Sequence, residues 1–284
     1  MRKILVTGGN GQLGLALKGV LVKEETFLTD TDNMDITNSD QIEKVFSDFR
    51  PTELIHGAAM TNVDGCEENP EMAEKVNAGG TRNLAKSCQK HQCQMIYIST
   101  DYVFDGIKKE PYREGNKTNP QSIYGKTKLE GEKYTLDLPS SYVVRTSWVY
   151  GEGKNFVRTM LALSEKMAEL RVVNDQFGRP TSALDLARAI YDIIQKQPEP
   201  GIYNITGDGP IISWADFARE IFKVANKETK VTGISTEEYL AQYIDKKIAP
   251  RPMHSSLELY KISNIAKINN WPSSLEKYLR KTNA

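Results

Sequence analysis

The chain has 284 residues, enough for one large α/β domain or for a nucleotide-binding domain with a smaller second domain. Its formal net charge is zero, with 39% hydrophobic and 26% charged residues, which is typical of a globular enzyme. Because the sequence has no excess of positive charge and no long basic run, we exclude nucleic acid and the membrane surface as its main partners.

The first half of the chain alternates short apolar runs with amphipathic stretches. The predicted elements, in chain order, are strand Lys3–Thr7, helix Gln12–Val22, strand Thr26–Asp30, helix Ser39–Phe49 capped by Ser39, strand Glu53–His56, helix Pro70–His91, strand Gln94–Ser99, helix Ser122–Tyr134 and strand Tyr142–Thr146. This alternation predicts an α/β fold, a Rossmann-type doubly wound parallel sheet with helices on both faces.

The alternation weakens after about residue 147. The pattern there predicts helices and strands at Phe156–Met167, Leu170–Val173, Ala183–Gln195, Gly201–Asn204 and Ser213–Ala225, the last with Ser213 as its cap. We therefore expect residues 1–150 to form the dinucleotide-binding domain, with later segments able to return to it. Residues 151–284 are expected to form mainly a smaller C-terminal substrate-binding domain.

A glycine-rich turn follows the first predicted strand. This turn and the start of the first predicted helix contain Gly8, Gly11 and Gly14. If Gly9 is taken in place of Gly8, the spacing is Gly-x-Gly-x-x-Gly. Glycines permit a tight turn and a close approach of the backbone, so that a pyrophosphate can bind at the N-terminus of the helix. The strand–turn–helix context predicts a dinucleotide site.

An acidic residue ends the second predicted strand. Asp30 stands where a carboxylate accepts a hydrogen bond from the adenosine ribose and repels the additional phosphate of NADP. Asp32 and Asp35 are alternatives for this role. This local pattern favours NADH, and a plain turn residue is the competing interpretation.

Small residues follow the third predicted strand. Gly57, Ala58 and Ala59 leave room for a flat cofactor to cross the end of that strand. Ligands of open parallel sheets bind at the carboxyl ends of the strands.

A hydroxyl and a carboxylate follow the fourth predicted strand. Thr100 and Asp101 stand at its carboxyl end, where we expect a substrate carbonyl. The Thr100 hydroxyl can donate a hydrogen bond to that carbonyl oxygen. The competing interpretation is a loop cap.

Tyr124 and Lys128 stand four residues apart in a predicted helix, so they share one face. An ammonium group beside a phenol favours the phenolate, which makes Tyr124 a candidate proton donor to a carbonyl that receives hydride. A Tyr-x-x-x-Lys pair is common by chance. Its weight here comes from the glycine turn and from the Thr100 segment.

The histidines and cysteines give no metal pattern. His56, His91 and His254 are scattered, and we interpret them as structural residues. The chain has three cysteines without metal-type spacing, a predicted strand where a signal peptide would lie and no apolar run long enough to span a bilayer. We therefore expect a cytoplasmic protein.

Several motifs together carry a resemblance over nearly the whole chain. They are Ser99-Thr-Asp-Tyr-Val-Phe-Asp-Gly106, Tyr124-Gly-Lys-Thr-Lys-Leu-Glu-Gly-Glu132, Arg145-Thr-Ser-Trp-Val-Tyr150, Asn174-Asp-Gln-Phe-Gly-Arg-Pro-Thr181 and Arg251-Pro-Met-His-Ser-Ser256. With the glycine turn, they resemble the extended short-chain dehydrogenase/reductase superfamily, and within it the dTDP-4-dehydrorhamnose reductases. The resemblance implies NADPH- or NADH-dependent reduction of a dTDP-4-keto-6-deoxy sugar to dTDP-L-rhamnose, a precursor of cell-wall polysaccharide.

The resemblance also implies roles for individual residues. Tyr124 would donate the proton, supported by Lys128 and Thr100, and the substrate site would include Val63, Thr100, Asp101 and Trp148, the last with core packing as the alternative. The residues expected to bind the cofactor are Gly8, Gly11, Gln12, Leu13, Gly14, Asp30, Asp35, Ile36, Ala58, Ala59, Met60, Thr61, Tyr124 and Lys128.

The first predicted helix departs from the family pattern. Some members carry a carboxylate there that helps to bind magnesium at a dimer interface, whereas Gln12-Leu-Gly-Leu-Ala-Leu17 has no acid. We therefore expect no metal site, no magnesium requirement and, if the protein is a homodimer, no metal bridge. Since family members often accept both coenzymes, NADPH is expected with NADH as the alternative, and Asp30 does not decide between them.

Two other function classes remain open at this point. A sugar-nucleotide epimerase or dehydratase would retain its NAD, but dehydratases tend to have Asp-Glu after the threonine, whereas Tyr102 follows Asp101 here. A non-catalytic homologue, resembling the regulatory subunit of methionine adenosyltransferase, is the second. The intact Thr100, Tyr124 and Lys128 favour an enzyme.

Overall fold

The structure is a computed structural model that describes residues 2–243 and 246–282, and its strands build one large sheet and three two-stranded pairs in that part of the chain. The strands are β1 Lys3–Thr7, β2 Glu25–Thr29, β3 Glu53–His56, β4 Gln94–Thr100, β5 Tyr142–Thr146, β6 Val149–Tyr150, β7 Glu169–Val173, β8 Phe177–Gly178, β9 Thr181–Ser182, β10 Gly201–Asn204, β11 Ile212–Ser213 and β12 Lys230–Ile234.

Helices connect these strands. They are α1 Gln12–Val20, α2 Ser39–Phe49, α3 Val63–Glu68, α4 Pro70–Ala73, α5 Thr81–His91, α6 Ile123–Leu136, α7 Phe156–Ser164, α8 Ala183–Lys196, α9 Trp214–Val224, α10 Thr236–Leu240, α11 Tyr260–Ser263 and α12 Trp271–Thr282, with a π-helical segment at Glu74–Gly80 and a 3₁₀ turn at Asp101–Val103. Within the described residues, none of these helices combines the length and apolarity that a membrane span requires.

The large sheet has the strand order β2-β1-β3-β4-β5-β10, and each neighbouring pair is parallel. The chain moves from β1 to β2 on one side and then returns to β3 on the other side of β1. This reversal opens a crevice at the carboxyl ends of β1 and β3, where ligands bind in doubly wound sheets. The predicted fold class is therefore confirmed.

The two faces of the sheet bury separate cores. Ile4 and Val6 pack with α1 and α8 on one face, whereas Leu5, between them in sequence, packs with α2 and α5 on the other. This alternation arises because successive side chains of a strand point to opposite faces. Residues beyond 150 therefore take part in this sheet: β10 is its edge strand, and α8 covers one of its faces.

A third core lies in the second half of the chain. Aromatic and aliphatic residues of β6, α7, α9 and α12 pack around Phe217, with β7 and β12 paired beside them. Strand β12 and helix α12 were not predicted from the sequence, because each lies among loops that contain proline or polar residues.

The long helix predicted over Pro70–His91 is confirmed in its bounds, with a π-helical segment, Glu74–Gly80, in its middle between α4 and α5. One prediction about local structure was wrong. Helix α2 is capped by Asn38, whose side chain accepts from the amides of Asp40 and Gln41, so that Ser39 is already helical. The predicted Ser213 cap is confirmed, and with Asp216 it forms a capping box.

Candidate active site

A cleft of about 560 Å³ lies at the carboxyl ends of β1, β2 and β3. Its lining includes the predicted cofactor positions of these three strand ends, namely Gly8, Gly11, Gln12, Leu13, Gly14, Asp30, Asp35, Ile36, Ala58, Ala59, Met60 and Thr61. Tyr124 and Lys128, which lie on α6, are not part of this lining. The cleft is also lined by residues that the sequence analysis did not select, among them Asn10, Thr31, Val149, Glu152 and Lys154.

The glycine turn forms a tight cradle at the N-terminus of α1. A Cβ atom on Gly14 would lie 2.5 Å from the carbonyl oxygen of Gly9, and Gly8 has a positive φ of 73°. Gly11 is the N-cap of α1, no side chain caps the first amides, and the first turn contains no acid. Those amides are therefore free to bind an anion, a role favoured at helix N-termini.

Asp30 lies at the edge of the cleft. One carboxylate oxygen accepts from the backbone amide of Asn10 at 3.0 Å and the other from that of Thr31 at 2.9 Å. These bonds fix the carboxylate beside the glycine turn. Asp35 also lines the cleft, whereas Asp32 lines a neighbouring small pocket that Asp30 shares, so the structure sets Asp32 apart and leaves Asp30 and Asp35 both at the cleft.

Asn77 connects the cleft to the helix that carries Tyr124. Its side chain accepts from the Met60 amide at 2.8 Å and donates to the Met60 carbonyl at 3.2 Å and to the Thr127 hydroxyl at 3.1 Å. Asn77 lies in the π-helical segment, a geometry often found at functional sites. Asn77 was not among the site residues predicted from the sequence, although the nearby Gly79 and Gly80 within a helix indicated close packing there.

Thr100 and Asp101 lie at the carboxyl end of β4, and both are buried. The Thr100 hydroxyl donates to a carboxylate oxygen of Asp101 at 3.0 Å and accepts from the Tyr102 amide at 3.2 Å. The expected bond from Thr100 to a substrate carbonyl therefore requires this proton to turn away from Asp101, because a hydroxyl has one donor hydrogen.

Tyr124 lies in the first turn of α6, which begins after the N-cap Ser122. Burial raises the pKa of its phenol, the carboxylate of Asp101 raises it further, and the nearby Thr100 hydroxyl lowers it. The sequence-based expectation that Lys128 would lower this pKa is not seen. Tyr124 is consequently a neutral phenol at neutral pH, the form that can donate a proton.

Lys128 lies one turn after Tyr124 and is almost fully buried. Desolvation lowers the pKa of its ammonium group to about 7, while the nearby carboxylate of Glu132 raises it. The ammonium nitrogen lies 4.2 Å from the centre of the Tyr97 ring. Lys128 is therefore only partly protonated at neutral pH, which reduces the positive charge by which it was expected to act on Tyr124.

Trp148 follows β5 with a positive φ of 50°, which is unusual for a bulky residue and often marks a functional site. Its indole stacks on Trp214 with the ring centres 3.5 Å apart. A Cβ atom on Gly178 would lie 2.7 Å both from this indole and from the Ser255 hydroxyl oxygen. The Ser255 hydroxyl donates to the Phe177 carbonyl at 3.2 Å and lies near enough to Asp101 to lower the pKa of its carboxyl group, so Ser255 connects the Trp148 region to the end of β4.

Val63 begins α3, and the next residue is held by the C-terminal part of the chain. The carboxylate of Asp64 binds the guanidinium of Arg251 at 3.0 and 2.7 Å and accepts from the Ala249 amide at 2.9 Å. Charge from Arg251 also acts on the Tyr102 phenol. The loop before Ser255 is thus fixed against α3, and the ion pair was not anticipated from the sequence.

The predicted structural histidine His56 has both ring nitrogens bonded, to Thr7 at 2.7 Å and to Thr81 at 3.0 Å. Across residues 2–243 and 246–282 we find no group of three or more His, Cys, Asp or Glu side chains arranged to hold a metal ion.

A glycine cradle for a dinucleotide, followed by the buried Thr100 and Lys128 and the half-buried Tyr124, defines the NAD(P)-dependent extended short-chain dehydrogenase/reductases. The family described as RmlD substrate binding domain matches residues 1–284. A dTDP-4-dehydrorhamnose reductase from Aggregatibacter actinomycetemcomitans is 38% identical over 100% of this chain and 99% of its own. This chain therefore belongs to the dTDP-4-dehydrorhamnose reductase family.

Two solved structures carry the same fold. A dTDP-4-dehydrorhamnose reductase from Clostridium acetobutylicum is 43% identical, with a TM-score of 0.93 over 99% of this chain and 100% of that one. The Bacillus anthracis enzyme, solved in complex with NADP, is 35% identical, with a TM-score of 0.92 over 99% and 100% of the two chains.

Proposed function

We propose that this protein reduces the 4-keto group of dTDP-4-dehydro-6-deoxy-L-mannose to give dTDP-L-rhamnose, with NADPH as the usual donor and NADH as the alternative. The observation that carries the proposal is that Thr100 lies at the carboxyl end of β4 and that its hydroxyl is near enough to the Tyr124 phenol to lower the pKa of that phenol, in a chain of this family. Family relatives named for this reaction support it along their full length.

The residues of the cleft fit a dinucleotide. The α1 amides and the glycine cradle suit a pyrophosphate, and Asp30 suits a ribose hydroxyl. Ala59, Met60 and Thr61 would hold the nicotinamide half, with Lys128 and Tyr124 beyond them. When bound, the reduced coenzyme supplies hydride. The NADP complex of the Bacillus anthracis relative supports NADPH, although Asp30 would oppose a 2′-phosphate.

The chain's own residues would handle the proton. As hydride reaches the carbonyl carbon, negative charge develops on the oxygen, and an alkoxide is a much stronger base than a phenolate. A neutral Tyr124 can therefore protonate that oxygen even with a raised pKa. We propose that Val63, Asp101 and Trp148 surround the sugar and that Thr100 orients the reacting oxygen.

We also propose a division of labour along the chain. Residues 1–150 would bind the coenzyme and carry the reacting side chains, while residues 151–284 would mainly bind the nucleotide sugar. The third core, around Phe217, supports this division. The buried free thiols of Cys66, Cys88 and Cys93 support a reducing, cytoplasmic location.

The test is to mix purified protein with dTDP-4-dehydro-6-deoxy-L-mannose and to follow oxidation of NADPH and of NADH in parallel. The product should be dTDP-L-rhamnose, with one coenzyme oxidised per sugar. The matched substrate is dTDP-4-keto-6-deoxy-D-glucose, which differs in configuration at C3 and C5. Faster turnover of the D-sugar, or recovery of the substrate without net coenzyme oxidation, would contradict the proposal and favour a different reductase or an epimerase.

A further inference from the structure

The ring of Tyr97 covers the buried ammonium group of Lys128. Tyr97 lies on β4, three residues before Thr100, and is fully buried. The ammonium nitrogen of Lys128, on α6, lies over the face of this ring, 4.2 Å from the ring centre. A cation in that position is attracted by the ring quadrupole, most strongly where water is excluded. The contact therefore favours the charged form of Lys128.

Further contacts fix the ring of Tyr97 in this position. Its hydroxyl donates to the Lys128 carbonyl oxygen at 3.3 Å. The phenol can approach α6 so closely because the residue three positions further along the helix is Gly131. A Cβ atom on Gly131 would lie 2.6 Å from the Tyr97 Cζ atom and closer still to the hydroxyl oxygen. The ring centre also lies 5.4 Å from that of His56 on β3, so Tyr97 contacts both the sheet and the helix.

The carboxylate that acts on Lys128 is shared with another cation. Glu132 raises the pKa of Lys128, but both of its oxygens bind the guanidinium of Arg145, at 2.8 and 2.6 Å. Desolvation is the larger effect, and it lowers the pKa of Lys128 to about 7. Because Lys128 is so close to losing its proton at neutral pH, a single favourable contact strongly changes the fraction that is charged.

We propose that Tyr97 is a positioning residue that holds Lys128 charged and in a fixed place beside Tyr124, an inference that rests on the proposed reductase function. Once Tyr124 has given its proton to the substrate oxygen, it is a phenolate one helical turn from Lys128. A charged Lys128 stabilises that anion, whereas a neutral Lys128 does not. In this role Tyr97 acts through Lys128 and exchanges no proton itself.

The other titratable groups near Lys128 differ in the pH at which they titrate. Burial raises the pKa values of Tyr124 on α6 and of Tyr97 on β4. Desolvation and the charge of Lys128 hold the pKa of His56 on β3 well below its ordinary value. These three groups therefore stay neutral near pH 7. Asp101 has a pKa raised to about 7, so a test must separate its titration from that of Lys128.

The kinetic test compares Tyr97→Leu with Tyr97→Phe across the pH range. Leucine removes the aromatic face, whereas phenylalanine keeps the face and loses only the hydroxyl. Because Lys128 acts in its charged form, kcat of the wild type should fall as pH rises through about 7. In Tyr97→Leu this fall should occur about one pH unit lower, the scale of a desolvated cation–π contact, so that kcat at pH 7 is about fivefold lower. Tyr97→Phe should keep the inflection of the wild type.

Tyr142→Leu is the control for damage to the core. Tyr142 is also buried, on β5, but it packs on the opposite face of the sheet. This variant should keep the wild-type inflection even if urea unfolding shows a similar loss of stability. An unchanged inflection in Tyr97→Leu, or an equal shift in Tyr97→Phe or Tyr142→Leu, would overturn the inference. If Tyr97→Leu does not fold, Gly131→Ala takes its place, because its Cβ atom displaces the Tyr97 ring and should shift the inflection in the same direction.

A carbon NMR titration tests the charge of Lys128 without substrate or coenzyme. The signal of Lys128 Cε, identified by its loss in Lys128→Met, moves when the ammonium group loses its proton, and Asp101 gives no such signal. Its midpoint should lie near pH 7 in the wild type and in Tyr97→Phe, and about one pH unit lower in Tyr97→Leu. The same midpoint in all three proteins, or one near about pH 10 as in an ordinary lysine, would overturn the inference. If the wild type fails to reduce the sugar, the proposed function fails, while this titration still decides whether Tyr97 sets the charge of Lys128.

Discussion

Arg145 on β5 and Glu132 on α6 form a buried bidentate ion pair, with nitrogen–oxygen distances of 2.8 and 2.6 Å. Ser99, on β4 beside the candidate site, donates to the same carboxylate at 2.5 Å. Glu132 lies one turn after Lys128 and two turns after Tyr124. The pair therefore fixes the helix that carries both candidate residues against the strand ends that carry Thr100.

Arg145→Met should destabilise the protein by about 3–5 kcal/mol, because it leaves the Glu132 carboxylate buried without its cation. Lys133→Met on the same helix is the matched control. It removes an exposed ion pair with Glu130 at 2.8 Å, so its effect should be below about 1 kcal/mol. Urea unfolding measures both free energies, and equal effects would show that the buried pair is not needed to hold α6.

Tyr124→Phe should lose turnover by roughly two or more orders of magnitude, the scale of general acid catalysis, because the ring remains but the proton is lost. Coenzyme affinity should be kept, as measured by fluorescence titration with NADPH. Tyr134→Phe, three turns further along α6, should keep its turnover. A Tyr124→Phe protein with nearly wild-type turnover would remove Tyr124 from the reaction.

Asp30→Ala should shift coenzyme preference towards NADPH, because it removes a carboxylate that would repel the 2′-phosphate. The ratio of kcat/KM for NADPH and NADH measures the shift. Asp32→Ala should leave the ratio unchanged, since Asp32 lines a separate pocket. A shift of Asp30→Ala towards NADH would show that Asp30 does not lie at the ribose.

Asp101→Asn should stabilise the protein at pH 8 relative to wild type, and the gain should shrink towards pH 5. The pKa of Asp101 is raised in the folded state to about 7, so the folded state binds more protons than the unfolded state below that pH. Its contribution is therefore present at low pH and lost as pH rises through about 7. The gain is at most roughly 4 kcal/mol, since one pKa unit corresponds to about 1.4 kcal/mol. Thermal unfolding across pH 5–8 measures it, and a gain independent of pH would contradict the raised pKa.

Chelation with excess EDTA should change neither turnover nor the oligomeric mass. Magnesium prefers carboxylate and water oxygens as ligands, and the first turn of α1 contains no acidic residue. Hydride transfer with proton donation by Tyr124 requires no Lewis acid. Light scattering and coenzyme oxidation, with EDTA and with added magnesium, provide the measurement. A dimer that dissociates on chelation with loss of activity would show that other carboxylates bind the metal.

Local patterns predicted much of this protein from its sequence. The spacing of Gly8, Gly11 and Gly14 predicted the turn before α1, because close backbone approach excludes a side chain whatever the rest of the fold. The β/α alternation predicted the parallel sheet. Helical periodicity placed Tyr124 and Lys128 on one face. These features depend on residues within a few positions of one another, so the sequence alone determines them.

The charge states and the distant contacts depended on the tertiary structure. Burial, which no local pattern reports, lowers the pKa of Lys128 and raises the pKa values of Tyr124 and Asp101. Ser255 lies near Asp101 only because the C-terminal part of the chain folds back onto β4, and Arg145 meets Glu132 only because β5 lies beneath α6. The sequence therefore determined which groups the site contains, whereas packing decided which of them carry a charge, because desolvation depends on all the elements that surround a group.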